Sequence, residues 1–202
     1  LAAVLQGRCP ADILHSYSAE RQAVAQDLID FDREWSRIIS ERPDNADGEA
    51  GAQPKFQRYF IEHGRYTAGM SVTYAPSRLT GTGAWQDLAS GFRIGTRFHS
   101  APVLRLADAK PMHLGHVIEA DARWRLFAFC PDEDPSTAES AIARLCRFLS
   151  DGPASPAWRV TRTGEDIDAF IDLRAVFQQR PDALALETLP ALLKPEKGRH
   201  GL

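Results

Sequence analysis

A chain of 202 residues holds one domain, or one domain with an appended element, and is long enough to bury a sizeable core. Its 44% hydrophobic and 25% charged residues are ordinary for a soluble globular protein, and no run approaches the ~20 apolar residues that span a bilayer. A net charge of −3, a pI near 6.1 and the absence of any basic run argue against nucleic acid or an anionic membrane as partner.

The first seven residues, Leu1–Gly7, are apolar but have no basic segment before them and no cleavage pattern after them, so they do not read as a signal peptide. They read as the last turns of a helix with Gly7 at its C′ position. Both methionines, Met70 and Met112, are internal, so a chain starting at Leu1 reads as a processed product or a fragment. Cys9, Cys130 and Cys146 are odd in number and far apart, which fits reduced thiols in a cytoplasmic setting.

A long amphipathic helix is predicted next, with Asp12 as its N-cap. Leu14, Tyr17, Arg21, Val24, Leu28, Phe31, Trp35 and Ile38 recur at steps of three and four and so share one face. Arg21 interrupts that stripe, either as a snorkelling stem with its head in water or as one half of a buried ion pair. Residues 41–55 are polar and rich in Gly, Pro and acidic residues, and mark a linker. A helix from Phe56 to His63, stopped by Gly64, is expected after it. The aromatic residues Phe56, Tyr59, Phe60 and Tyr66 read as helix packing or a subunit contact.

After a turn-rich stretch, Pro102–Leu106 and His116–Ile118 read as short strands, and Arg123–Cys130 as a buried strand. A helix is predicted over Glu139–Leu149, capped by Ser136 or Thr137, with Ile142, Leu145, Cys146 and Leu149 on its inner face and Asp151–Gly152 at its end. Trp158–Thr161 then reads as a strand, which would make a βαβ unit, and Asp166–Phe177 as a helix.

The phosphate-binding and metalloprotease motifs GxGxxG, GxxxxGK[ST] and HExxH are all missing, as is the nucleophile elbow GxSxG. Cys130 ends a strand just before Pro131, the position of a thioredoxin-like reactive cysteine. It has no second cysteine nearby, and Asp132, Glu133 and Asp134 surround it with negative charge that disfavours a thiolate. That acidic run reads as a solvated loop. His113 and His116, with His99, make a weak metal signal, because Pro111 and Gly115 argue against a helix that would hold them in register. The residues themselves therefore assign no catalytic, cofactor-binding or metal site.

Several segments resemble the flavin-dependent aromatic hydroxylases of the phenol hydroxylase type. They include His15–Arg21, Val24–Gln26 and Leu28–Asp32, then Arg65–Gly69, Tyr74–Ser77, Gly95–Pro102 and Asp108–Pro111. Arg123–Leu126, Cys146–Leu149, Asp166–Asp168, Asp172–Phe177 and Leu186–Leu193 continue the likeness to near the end of the chain. The resemblance implies an α/β protein: residues 1–40 as the C-terminal helices of a flavin-binding domain, 41–55 as a linker, and 56–202 as a thioredoxin-like domain truncated at its end and lacking the redox pair. It implies a parent enzyme that uses FAD and NADPH to hydroxylate a phenolic acid such as 3-hydroxybenzoate to 3,4-dihydroxybenzoate. It also implies a homodimer, with flavin and substrate residues before Leu1. The alternative for the chain as it stands is a non-catalytic dimerisation module, and a third reading is a thioredoxin-like redox protein.

Overall fold

The computed structural model describes residues 1–40 and 55–194; the expected linker therefore lies almost wholly outside the described residues. The chain divides into two compact units, one running essentially to His99 and the other from Ser100. Each is an assembly of its own.

The first unit is helical. Helix α1 (Ala2–Leu5) ends as its sequence predicts: Gly7 takes φ 67°, its N–H donates to the Val4 carbonyl, and the Arg8 N–H donates to the Ala3 carbonyl. This pair of bonds is the Schellman arrangement, which only a residue at ease in the left-handed region forms cheaply. A 3₁₀ turn over Ala11–Ile13 runs straight into α2 (Leu14–Ser40). Asp12 is thus inside the opening turn rather than capping it, and its carboxylate pairs with Arg78 at 2.6 Å.

Helix α2 has no buried residue. Of its expected stripe, Phe31, Trp35, Val24 and Ile38 are half-buried, whereas Tyr17 (69% exposed) and Leu28 (56%) face solvent. Helix α3 (Lys55–Glu62) is followed directly by α4 (Gly64–Thr67), so Gly64 begins a helical turn instead of ending one. The stop comes at Gly69, with φ 68° and bonds from Gly69 N–H to the Tyr66 carbonyl and from Met70 N–H to the Arg65 carbonyl.

The second unit holds both sheets found among the described residues. Strands β1 (Pro102–Arg105) and β2 (Lys110–His113) pair antiparallel, Pro102 opposite His113 and Arg105 opposite Lys110. Across the connecting turn Arg105 binds Asp108, whose carboxyl is held down to about 2 by the guanidinium. The strand expected over His116–Ile118 is a 3₁₀ turn, Leu114–Val117; the tight β1–β2 turn fixes a register that leaves those residues past the end of the ladder.

Strand β3 (Trp124–Phe129) and β4 (Ile171–Val176) pair in parallel, with helices α5 (Ala141–Ser150) and α6 (Pro156–Val160) in the connection. A parallel βαβ unit was expected, but two of its parts differ. Of the strand expected over Trp158–Thr161, Trp158–Val160 is helical because Ser155 caps it: its hydroxyl accepts the Trp158 N–H at 3.0 Å, and Pro156 supplies a preset first helical position. The β propensity of Trp and Val is overridden by that start signal. Conversely, 171–176 is strand rather than helix. Ile171, Leu173 and Ala175 pack on the core and are joined by Phe177, while Asp172 and Arg174 point the other way, a period of two.

The α5 cap is Ser140, accepting the Ala143 N–H at 3.2 Å, while Ser136 bonds the Asp134 carboxylate. Cys130, Ile142, Cys146, Leu149, Ala157 and Leu173 form the buried core of the second unit. Strand β3 is only half-buried, with Trp124 (52% exposed) and Phe129 (53%) open to solvent.

Candidate functional site

Cys130 sits where the sequence places it, at the end of β3 and just before Pro131. Its N–H extends the sheet by donating to the Val176 carbonyl at 2.9 Å, and its thiol faces the Ala128 carbonyl at 3.6 Å. It is buried at 7% exposure. Burial, then the charge of Glu133, pushes the thiol pKa up. Cys146, also in the core, is pushed up to about 11 by burial and by Cys130. Both groups behave as small core hydrophobes, the opposite of an activated nucleophile.

The loop after Cys130 is less idle than a solvated acidic run. Glu133 is half-buried and accepts the Ala141 N–H at the start of α5. Gln179 donates to the Asp132 carboxylate at 3.2 Å and to the Glu133 carbonyl at 2.8 Å. The one strand-to-helix turn of the parallel pair is therefore acidic, and its helix N-terminus is already filled by Glu133 and Ser140. A dinucleotide pyrophosphate needs free N–H groups and positive potential at such a place. These residues do not fit FAD or NADPH, and no chemical step on the flavin follows from them.

His113 and His116 have ring centroids 5.7 Å apart. Among the described residues no group of three or more His, Cys, Asp or Glu side chains is arranged to hold a metal.

Sequence reasoning missed the strongest polar cluster. Arg125, on β3, stands directly opposite Asp172 on β4. Its Nε lies 3.1 Å from Asp172 and also donates to the Val117 carbonyl, and its two Nη groups grip Asp121 at 3.0 and 2.6 Å. Asp172 also accepts Arg174, at 2.8 Å, and Arg123 contacts Asp121. The Arg125 and Asp172 side chains are 6% and 5% exposed. The grip of Arg125 holds the Asp121 carboxyl well below the usual range. This network ties β3 to β4 in their register. The alternation of charged Arg125 with apolar neighbours was its only trace in the sequence.

In the first unit Tyr59, Phe60 and Tyr66 pack on the rings of α2, while the Phe56 side chain lies outside the described residues. Phe31 meets Tyr59 at 5.7 Å and Tyr66 at 4.9 Å, and Trp35 meets Tyr59 and Phe60 at 5.9 Å. Burial raises the pKa of both tyrosines. Arg21 is exposed, with its guanidinium 5.1 Å from the centre of the Tyr74 ring, so the snorkelling reading holds and a cation–π contact is added.

With no constructed catalytic centre among the described residues, relatives become the deciding observation. The family described as the phenol hydroxylase C-terminal dimerisation domain matches residues 72–202. The chain belongs to this family. It is 56% identical over its whole length to a 3-hydroxybenzoate 4-monooxygenase of Comamonas testosteroni, 32% of which is covered. It is 29% identical over 99% of its length to the FAD-dependent monooxygenase terD of Aspergillus terreus, covering 33% of that protein. A phenol 2-monooxygenase of Aspergillus fumigatus, fsqG, is 26% identical over 72% of the chain. The chain thus spans about a third of the length of the first two relatives. As a member of this dimerisation family it is mixed helix and sheet with a long N-terminal helix. Among the described residues no helix is long and apolar enough to cross a membrane.

Proposed function

We propose that this chain is the C-terminal part of a cytoplasmic, FAD- and NADPH-dependent monooxygenase that converts 3-hydroxybenzoate to 3,4-dihydroxybenzoate. The observation that carries the reading is 56% identity, end to end, to a protein named for that reaction. Residues 1–40 are helices of the flavin-binding domain, 41–55 a linker, and 56–202 a thioredoxin-like domain that has lost its redox pair. The buried Cys130, its raised pKa and the filled N-terminus of α5 support that loss. Catalytic and flavin-binding residues lie outside this chain, and the flavin supplies the oxygen-transfer chemistry when bound. The exposed apolar residues of α2, Tyr17, Leu28 and Ile29, are then covered by the rest of the flavin-binding domain.

Within that enzyme the chain acts as a homodimerisation module, the role carried by its family's description. The test is the parent protein itself. It is expected to show a flavin spectrum, NADPH oxidation dependent on 3-hydroxybenzoate, and 3,4-dihydroxybenzoate as product. A flavin-loaded parent that ignores 3-hydroxybenzoate sinks the substrate assignment, and a strict monomer by light scattering sinks the dimerisation role.

A further inference from the structure

We infer that Trp85 and Leu88 form an apolar knob that a second copy of this chain covers in the dimer. The inference rests on the dimerisation role proposed above and adds the place on the surface where that contact is anchored.

The knob comes from a short 3₁₀ turn over Gln86–Leu88, with Trp85 at its start and the Leu88 N–H donating to the Trp85 carbonyl at 3.1 Å. Such a turn has three residues per revolution, so side chains three apart stand one above the other. Trp85 and Leu88 therefore project together, 72% and 82% exposed. A lone exposed leucine is ordinary on a protein surface. An indole beside it is not, because tryptophan is enriched at the energetic centres of interfaces.

The loop that carries the knob holds itself in place. Gln86 sits between the two apolar residues and is half-buried. Its amide donates to the Ala89 carbonyl at 2.9 Å and the Phe92 carbonyl at 3.0 Å, and its oxygen accepts the Ile94 N–H at 2.8 Å. The Thr96 hydroxyl donates to the Arg93 carbonyl at 2.7 Å and tightens the next turn. The polar side chain thus faces the loop backbone while its apolar neighbours meet solvent. A surface ordered before contact loses less entropy on binding.

Position in the chain favours a second copy as the occupant. The segment matching the dimerisation domain runs over residues 72–202 and includes the knob. The exposed apolar residues of α2, Tyr17, Leu28 and Ile29, lie before it. Among the described residues of that segment, Leu88 and Trp85 are the most exposed large hydrophobic side chains; Phe129, the next, is at 53%. A two-fold contact uses the same patch from both partners, so one substitution removes two knobs. A tryptophan and a leucine cover less than the roughly 800 Å² per partner of a standard interface, so the knob anchors a wider contact.

The flavin-loaded parent enzyme is followed by sedimentation over a dilution series. Trp85→Ala is expected to weaken the dimer at least about a hundredfold and Leu88→Ala about tenfold, with flavin content unchanged. Trp158→Ala, at a half-exposed tryptophan of the second unit, is expected to change it less than about twofold. A dimer insensitive to both knob substitutions, or equally sensitive to Trp158→Ala, overturns the inference and leaves the dimerisation role standing. An unaltered enzyme that is monomeric at every concentration sinks both. Should a variant fail to fold, hydroxyl-radical footprinting of the unaltered enzyme decides: Trp85 is expected to be protected in the dimer and oxidised readily in the diluted monomer. Protection that survives dilution means that the enzyme's own body covers Trp85, and oxidation in the dimer as fast as in the monomer means that nothing does; either result overturns the knob.

Discussion

The two units hold themselves together by different means. Among its described residues the first unit has no buried side chain; its order comes from local caps, the exposed i,i+3 pairs Arg33–Asp30 and Arg37–Glu34, and the aromatic stack on Phe31 and Trp35. The second unit packs α5 and α6 onto β3 and β4 around six buried core residues, with an almost dry arginine–aspartate network on its sheet. Exposed ion pairs contribute about 0–1 kcal/mol each, whereas a fully buried aliphatic side chain contributes about 1.5–3 kcal/mol. Apolar content alone therefore does not locate stability. Leu28 on the long α2 and Leu149 on the short, more strongly amphipathic α5 are the same residue type, yet they are 56% and 3% exposed.

The largest expected effect breaks the second unit at its network. Asp172→Ala leaves Arg125 buried with one carboxylate fewer, and a loss of about 3–5 kcal/mol is expected in urea unfolding followed by fluorescence of Trp124 and Trp158. A loss below about 1 kcal/mol would mean that Asp121 alone satisfies Arg125. Next comes Leu149→Ala, expected to cost about 3 kcal/mol through a cavity in the core, against less than about 0.5 kcal/mol for Leu28→Ala. Equal costs at the two leucines would erase the contrast between the units.

Much of this contrast was legible in the residues, and what was missed has a physical pattern. Long-period features came through: the extended helix ending near Ser40, the inner face of α5 at Ile142, Cys146 and Leu149, and β3 ending just before Cys130. Errors gathered where a single side chain outvotes propensity. Ser155 turned a β-prone Trp-Arg-Val into α6. In β4, inside the helix expected over Asp166–Phe177, the charged Asp172 and Arg174 alternate with core residues, and charges are seldom buried without a partner. The partner, Arg125, is 47 residues away in sequence and only the fold brings it near.

A smaller effect sharpens the account of the second unit. Ser155 is fully buried; its hydroxyl accepts the Trp158 N–H and donates to the Leu149 carbonyl. Ser155→Ala is expected to cost about 1–2 kcal/mol, while Ser155→Thr retains part of the cap. Amide exchange at Trp158 reads this locally, and an unchanged rate would show that Pro156 alone starts α6. The core thiols give a pH signature. The folded pKa of Cys146 is raised to about 11 from an ordinary 9.0, so above pH 9 the unfolded chain ionises first. Stability from this thiol is full below pH 9 and falls as pH rises toward 11; Cys146→Ser or Cys146→Ala is expected to make the alkaline slope shallower, leaving the share of Cys130, Tyr59 and Tyr66. A half-buried Cys9 in the first unit should be alkylated well before Cys130 and Cys146.

The smallest effect lies on α2, at the residue that interrupts its stripe. Arg21 holds no carboxylate among the described residues and sits over Tyr74 in the open, where such a contact contributes about 0.5–1 kcal/mol. Arg21→Met keeps the stem and the helix propensity but removes the charge, so the cost is expected to stay below about 1 kcal/mol. The paired variant Tyr74→Leu separates the causes: if the ring contact is the whole effect, Arg21→Met costs nothing further in its background. A loss of several kcal/mol from Arg21→Met alone would instead mean that the guanidinium is buried against a carboxylate in solution. That result would make α2 a docked element of the same kind as β3, and the two units would no longer differ in how they hold charge.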